Sequence, residues 1–227
     1  MTTTQELSPT DRSTIRRGKK RAVTDRAALR RVLDAGLVCH LAFVTPDGAP
    51  VVIPTAYGYT ADTLYVHGST GAASLRASTG VEVCVNVTVV DGVVYSRAAL
   101  HHSMNYRSAT VHGVATPVTD PDEKVAALRL VTEHIAPGSW AVTRPPTPQE
   151  VAKTAVLTLD LTEAAVKIRT GPPDEDESDV ASPDYGSVWA GVLPLHHVWG
   201  TAEPCQDLPP GTATPSYVTE RMVRADR

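Results

Sequence analysis

The densest run of chemistry-bearing residues is His67-Gly68-Ser69-Thr70-Gly71, which ends the apolar stretch TLYVHGS (63–69) and opens onto TGAASLRAS. Backbone amides, small side chains and hydroxyls suit a phosphate, and glycine lets the chain approach it closely. Arg76 lies one to two helical turns further on and is the nearby cation. The plain alternative is a strand-to-helix turn with no ligand. His67 at such a position is able to donate a proton or touch a substrate. A structural histidine at a strand end is the competing reading. His101-His102 and His196-His197 suggest metal ligation. Adjacent strand residues point to opposite faces, however, and no Cys, Asp or Glu falls at ligand spacing, so no metal site is expected. The chain lacks GxSxG, Walker and GxGxxG patterns, so any redox chemistry belongs to a cofactor.

These residues need elements to hold them. DRAALRRVLDA reads as a short helix capped by Thr24 and ended by Gly36, with Leu29, Val32 and Leu33 on one face. LVCHLAFVT (37–45), a Pro46-Asp47-Gly48 turn and VVIPTAYGY (51–59) follow as a hairpin. VEVCVNVTVV (81–90) is expected to turn at Asp91-Gly92 into VVYSRA. After the polar HHSMNYRS, alternation resumes over 109–118. Asp120-Pro121-Asp122-Glu123 and Thr147-Pro148-Gln149-Glu150 each start a helix. KTAVLTLDL and AAVKIRT complete the strands.

The chain has 227 residues, 42% of them hydrophobic and 20% charged, which fits one globular domain with tails. Thirty valines and a single Phe favour a sheet-built core. A net charge of −4 argues against a nucleic-acid binder. The three cysteines lie far apart without a CxxC, which removes a disulfide scaffold. No run reaches the roughly 18 residues a membrane helix needs, and no signal peptide is expected, so a soluble cytoplasmic protein is anticipated. Residues 1–31 carry nine Lys/Arg against three acids. Residues 1–20 are expected to be a disordered basic tail, 21–171 the folded domain and 172–187 an acidic loop. Residues 188–199 are expected to dock back on the body, and 200–227 to form a flexible tail. The fold class is mostly β, a small β-barrel with flanking helices.

From about Asp25 to Leu195 the segment order resembles the pyridoxamine 5′-phosphate oxidase-like, FMN-binding split-barrel family, closest to its nitroimidazole-resistance reductases. The resemblance is carried by LVCHLAFVTPDGAPVVIPTAY, DTLYVHGST, VEVCVNVTVVDG, HHSMNYRSATVHGVA, PDEK, RPPTPQEVAKTAVLTLDL and VWAGVLPL. It implies a homodimer with two FMN sites at the subunit interface, each with walls from both chains. His67, Gly68, Ser69, Thr70, Gly71 and Arg76 would hold the phosphate, with His67 also beside the flavin as the candidate catalytic residue. Ser103, Asn105, Tyr106, Arg107 and Ser108 would form the far wall. Asn105 and Arg107 share one strand face and Tyr106 and Ser108 the other, and the sequence does not show which pair faces the flavin. Pro54, Thr55 and Tyr57 would line the isoalloxazine edge, and Trp189 would stack near the ring or simply anchor its segment.

Two departures stand out. The family often places a Lys or Arg where this chain has Ala72 and Ala73. The Arg-x-His element of the true vitamin B6 oxidases is missing after Trp189, so that activity is not expected. The implied reaction passes reducing equivalents from NAD(P)H to a small nitro-aromatic or quinone-like acceptor. A flavin store, or a split barrel holding haem or a deazaflavin, is the alternative.

Overall fold

Alternating valines drive the architecture. In the computed structural model, which describes residues 6–7 and 10–223, the chain runs β1 (Ala22–Val23), α1 (Arg26–Ala35), β2 (Val38–Val44), β3 (Pro50–Tyr59), β4 (Thr63–Ser69), α2 (Ala73–Ser78) and β5 (Glu82–Tyr95). It continues through β6 (Ser103–Val114), β7 (Thr116–Pro117), α3 (Pro121–Ile135), α4 (Pro148–Lys153), β8 (Thr154–Asp160) and β9 (Ala164–Arg169). It ends with α5 (Glu177–Val180), β10 (Gly191–Pro194) and α6 (Ser216–Val223). The strands pair antiparallel in the order β1-β9-β6-β5-β2-β3-β4-β8-β7, with β10 added on β5. Leu159 of β8 reaches Gly113 of β6 and so brings distant parts of the sheet together.

The inner face holds Cys39, Leu41, Phe43, Leu64, Val66, Val83, Val85, Val87, Leu157 and Leu159, all buried, with Leu29, Val32 and Leu33 of α1 against them. Each such side chain contributes about 1.5–3 kcal/mol when fully buried. A smaller cluster of Val118, Ala127 and Val156, with Tyr65 and Leu128, joins α3 to the opposite face of β4 and β8. Helix α3 lies directly on β3: a Cβ at Gly58 would meet the Leu130–Val131 backbone at 2.5 Å.

Several expectations change in detail. Asp25, not Thr24, caps α1, its carboxylate accepting from the Ala27 amide at 2.9 Å. Asp91-Gly92 is not a turn. Strand β5 runs straight through it, with a bulge between Val90 and Gly92. Gly92 stays extended because β10 crosses it closely: an added Cβ would lie 2.8 Å from the Leu193 carbonyl oxygen. The first half of β5 pairs with β2 and its last four residues with β10, so the long strand keeps no bare edge there. Of the polar HHSMNYRS, Ser103 onward is the start of β6, since Ser103 already pairs with Val94, while His101 ends the short turn before it.

The tails also differ. Where a solvated tail is expected over residues 1–20, Leu7 is buried in the core. Arg12 bridges Glu82 at 2.8 Å and Glu163 at 2.6 Å. Within residues 188–199, Gly191–Pro194 form β10 and pair with the end of β5. Within 200–227, expected to be flexible, Ser216–Val223 form α6, whose Arg221 guanidinium lies 3.9 Å over the Trp199 ring, and 224–227 lie outside the described residues.

Candidate functional site

The loop after β4 comes from a strand end meeting the short helix α2. Its amides are largely engaged within the chain. Thr70 N donates to the Lys153 carbonyl at 3.0 Å, Ala72 N to the Ser69 carbonyl at 2.9 Å, and Gly71 N to Ser69 Oγ at 3.1 Å. The exposed Arg76 folds back, its Nη1 donating to the Thr70 carbonyl at 3.1 Å. The loop is therefore stiffened from within, and what it offers outward is hydroxyls and one guanidinium edge rather than a ring of free amides. That corrects the expected amide cradle. Gly68 is tightly placed, since a Cβ there would sit 3.2 Å from Leu75.

His67 precedes this loop on the β4 face shared with Tyr65, opposite Val156 of the smaller cluster. It is half-buried, and its Nδ1 is shut off from solvent with no hydrogen-bond partner among the described residues. Burial pushes the imidazole pKa below its ordinary value. A closed-off nitrogen without a partner is costly unless a ligand meets it.

The second wall is β6. Asn105 is buried, its amide donating to the Gly171 carbonyl at 3.2 Å and its oxygen accepting from Arg169. Arg107 grips the bulge residue Asp91 with two nitrogens, at 2.9 and 2.7 Å, and this carboxylate raises the guanidinium's pKa. These two side chains are committed within the chain. Ser108 Oγ donates to the Lys167 carbonyl at 3.3 Å. Tyr106, on the outward face with Ser108, makes no side-chain hydrogen bond among the described residues. Ser103 follows His102, whose Nδ1 accepts from the Ser96 amide at 2.9 Å.

The remaining expected residues divide. Trp189 is 64% exposed and packs on Tyr95 at 5.7 Å, which in turn meets His102 at 5.8 Å, so it joins the β6 wall rather than the β4 loop. Pro54 is exposed opposite His40, and Thr55 Oγ donates to the Ala56 carbonyl. Tyr57 cannot line a ligand: it is fully buried, its hydroxyl donating to the Leu33 and Gly36 carbonyls at the end of α1. No hydrogen bond or ion pair among the described residues joins the β4 loop to the β6 wall.

Sequence reading missed three residues that shape the β6 wall. Buried Arg169 donates to Asn105 and to the Gly171 and Pro172 carbonyls, with no carboxylate partner among the described residues. Arg97 and Glu175 pair at 2.6 Å, and Glu175 also accepts from the Arg97 amide and the Ser96 hydroxyl. Those donors, the Arg97 amide foremost, hold the carboxyl below its ordinary pKa. A cleft of about 420 Å³ follows, lined among others by His101, His102, Ser103 and Arg169. A second, of about 450 Å³ between Tyr59, Asp34 and His134, contains none of the expected residues.

Residues 25–168 match the family model described as pyridoxamine 5′-phosphate oxidase. The chain is 32% identical to the flavocytochrome Anf3 of Azotobacter vinelandii, covering 95% of this chain and 98% of that one at a TM-score of 0.87. It is 34% identical to an FAD and heme binding protein of Mycobacterium smegmatis, covering 89% and 97% at a TM-score of 0.83. A structure described as a 5-nitroimidazole antibiotic resistance protein, from Bacteroides thetaiotaomicron, shares the fold at 21% identity and a TM-score of 0.53, over 65% of this chain and 86% of that one. No curated protein matches the chain.

Proposed function

The chain belongs to the pyridoxamine 5′-phosphate oxidase family of split barrels, and from that membership we propose that it is a flavin-dependent oxidoreductase that also carries haem. The carrying observation is His67, a half-buried imidazole whose Nδ1 has no partner among the described residues, in a chain that covers nearly the whole of a flavocytochrome and of an FAD and heme binding protein. Imidazole is an ordinary axial ligand for haem iron. The pKa depression keeps His67 neutral at pH 7 and therefore able to ligate. This moves His67 from proton donor to ligand.

For the flavin, Ser69, Thr70 and Arg76 offer hydroxyls and one charge to a phosphate. Tyr106 and the apolar side of Trp189 offer surface to a ring. The two walls lie apart in one chain, which favours a site completed by a second copy. The outer sheet face supports this: Val38, Val44 and Val52 are 46%, 58% and 62% exposed, and Tyr106 and Ser108 share that face. The flavin is FMN, as the sequence reading expects, or FAD, as in the FAD and heme binding protein of Mycobacterium smegmatis. When bound, flavin supplies hydride chemistry and haem one-electron chemistry. The chain's share is to hold both, orient them and exclude water. NAD(P)H is the proposed reductant and a small molecule the acceptor.

The absorption spectrum of untagged protein tests the reading. Wild type should show flavin bands and a Soret band. His67→Ala should lose the Soret band and keep the flavin. Flavin without haem in the wild type, or an unchanged Soret band in the variant, would remove the haem assignment. Release of the bound flavin by heat, followed by chromatography, separates FMN from FAD. Steady NAD(P)H consumption with an added quinone distinguishes an enzyme from a store.

A further inference from the structure

Away from His67, the fold assembles a set of ligands that sequence spacing does not reveal. One ring nitrogen of His101 and one carboxylate oxygen each from Asp176 and Asp179 lie within 4.8 Å of one another. His101 stands 75 and 78 positions before the two acids, and the Arg97–Glu175 pair, which pins the acidic loop beside the Ala99–His101 turn, brings them together. Lys20 pairs with Asp174 at 3.1 Å and so engages a second acid of that loop. Asp176 and Asp179 have no cation partner among the described residues.

Two features single these groups out from an ordinary acidic surface. Nδ1 of His101 is closed to solvent without a hydrogen-bond partner. Asp176 stands at the N-cap of α5, where an Asp side chain normally accepts from the helix amides, yet its carboxylate makes no capping bond. Two like charges and an unpartnered imidazole at this spacing repel or idle unless a cation joins them.

We propose that His101, Asp176 and Asp179 bind a divalent transition ion, with zinc or manganese the fitting class. A nitrogen ligand disfavours calcium and magnesium, which take oxygen donors. Around an ion with bonds of about 2.0–2.2 Å the ligand atoms sit about 3–3.5 Å apart, so small side-chain rotations close the set, and water completes the coordination. The ion ties the acidic loop to the start of β6. Its role is that of a strut beside the proposed flavin wall, and it stands independently of any flavin or haem.

The test uses untagged, full-length protein stripped with a chelator, then dialysed against Zn²⁺ alone, with bound metal measured by emission spectroscopy. One Zn²⁺ per chain is expected. Asp176→Asn with Asp179→Asn should weaken binding at least tenfold, and His101→Gln should do likewise. His196→Ala with His197→Ala, which alters the exposed pair, should leave it unchanged. Added Zn²⁺ should slow proteolytic cutting within 172–187 several-fold in wild type and not in the Asp variant. Circular dichroism checks the fold, and Asp179→Asn alone serves if the double exchange unfolds. Absent stoichiometric binding, or binding indifferent to both Asp exchanges, would overturn the site, as would loss of binding only in the His196/His197 variant.

Discussion

The β4 loop and the β6 wall are built in opposite ways. In the loop most bonds are local: Ser69 serves Gly71 and Ala72, and Arg76 returns to Thr70, six positions away. In the wall they span the chain. Asp91 holds Arg107 across 16 positions, Arg169 holds Asn105 across 64, and Glu175 holds Arg97 across 78. Short-range bonds survive as long as their own turn survives. Long-range bonds exist only when the whole sheet is in register. The loop should therefore tolerate substitution, while the wall should report on global folding.

Four experiments press on that contrast. The largest effect is expected at Arg169. Exchange to Met strands the buried Asn105 oxygen and takes one donor each from the Gly171 and Pro172 carbonyls, at about 2–4 kcal/mol of stability in urea unfolding. A loss as small as that of Arg76→Ala would erase the distinction. Gly92→Val comes next: its side chain must displace β10, at about 1–3 kcal/mol. Gly68→Ala in the loop meets only the flexible end of Leu75 and should lose less, as paired thermal melts would show.

Arg76→Ala should leave the unfolding free energy within about 0.5 kcal/mol of wild type while weakening FMN or FAD about tenfold, the low end for one charge-assisted phosphate contact. Riboflavin, which lacks phosphate, should bind both proteins alike. Equal FMN affinity in the two proteins would take Arg76 out of the site. The smallest effect concerns pH. Arg12 foremost, then Thr10, holds the Glu163 carboxyl near about 2, below its ordinary 4.5. A depressed carboxyl contributes stability that is fully present above 4.5 and is lost as pH falls toward about 2. Glu163→Gln should flatten that part of the stability profile, and identical profiles would show the pair to be idle.

What could be read in advance follows the same division. The Asp120 and Thr147 caps act within four residues and are visible in the chain. So is the apolar alternation of Val83, Val85 and Val87, and with it the β class. Asp91-Gly92 misleads because the pattern that makes a type I′ turn also suits a bulge, and only the arrival of β10 from a hundred positions away decides between them. Tyr57 misleads because alternation gives the face of a side chain but not the helix end that claims its hydroxyl. Arg169 and Glu175 leave no local mark, since the side chains they pair with, Asn105 and Arg97, lie 64 and 78 positions away.

The N-terminal arm has a consequence in time. Arg12 leaves the ribosome early, yet its partner Glu163 follows some 150 residues later, about 10–30 s at ordinary rates of synthesis. Through that interval Arg12 has at most Glu82, itself about 70 residues behind, and a hydrophobic segment in its place would seek wrong partners. A polar, basic one can wait in water. The Arg12–Glu163 pair therefore closes only after the part of the sheet that carries Glu163 has been made.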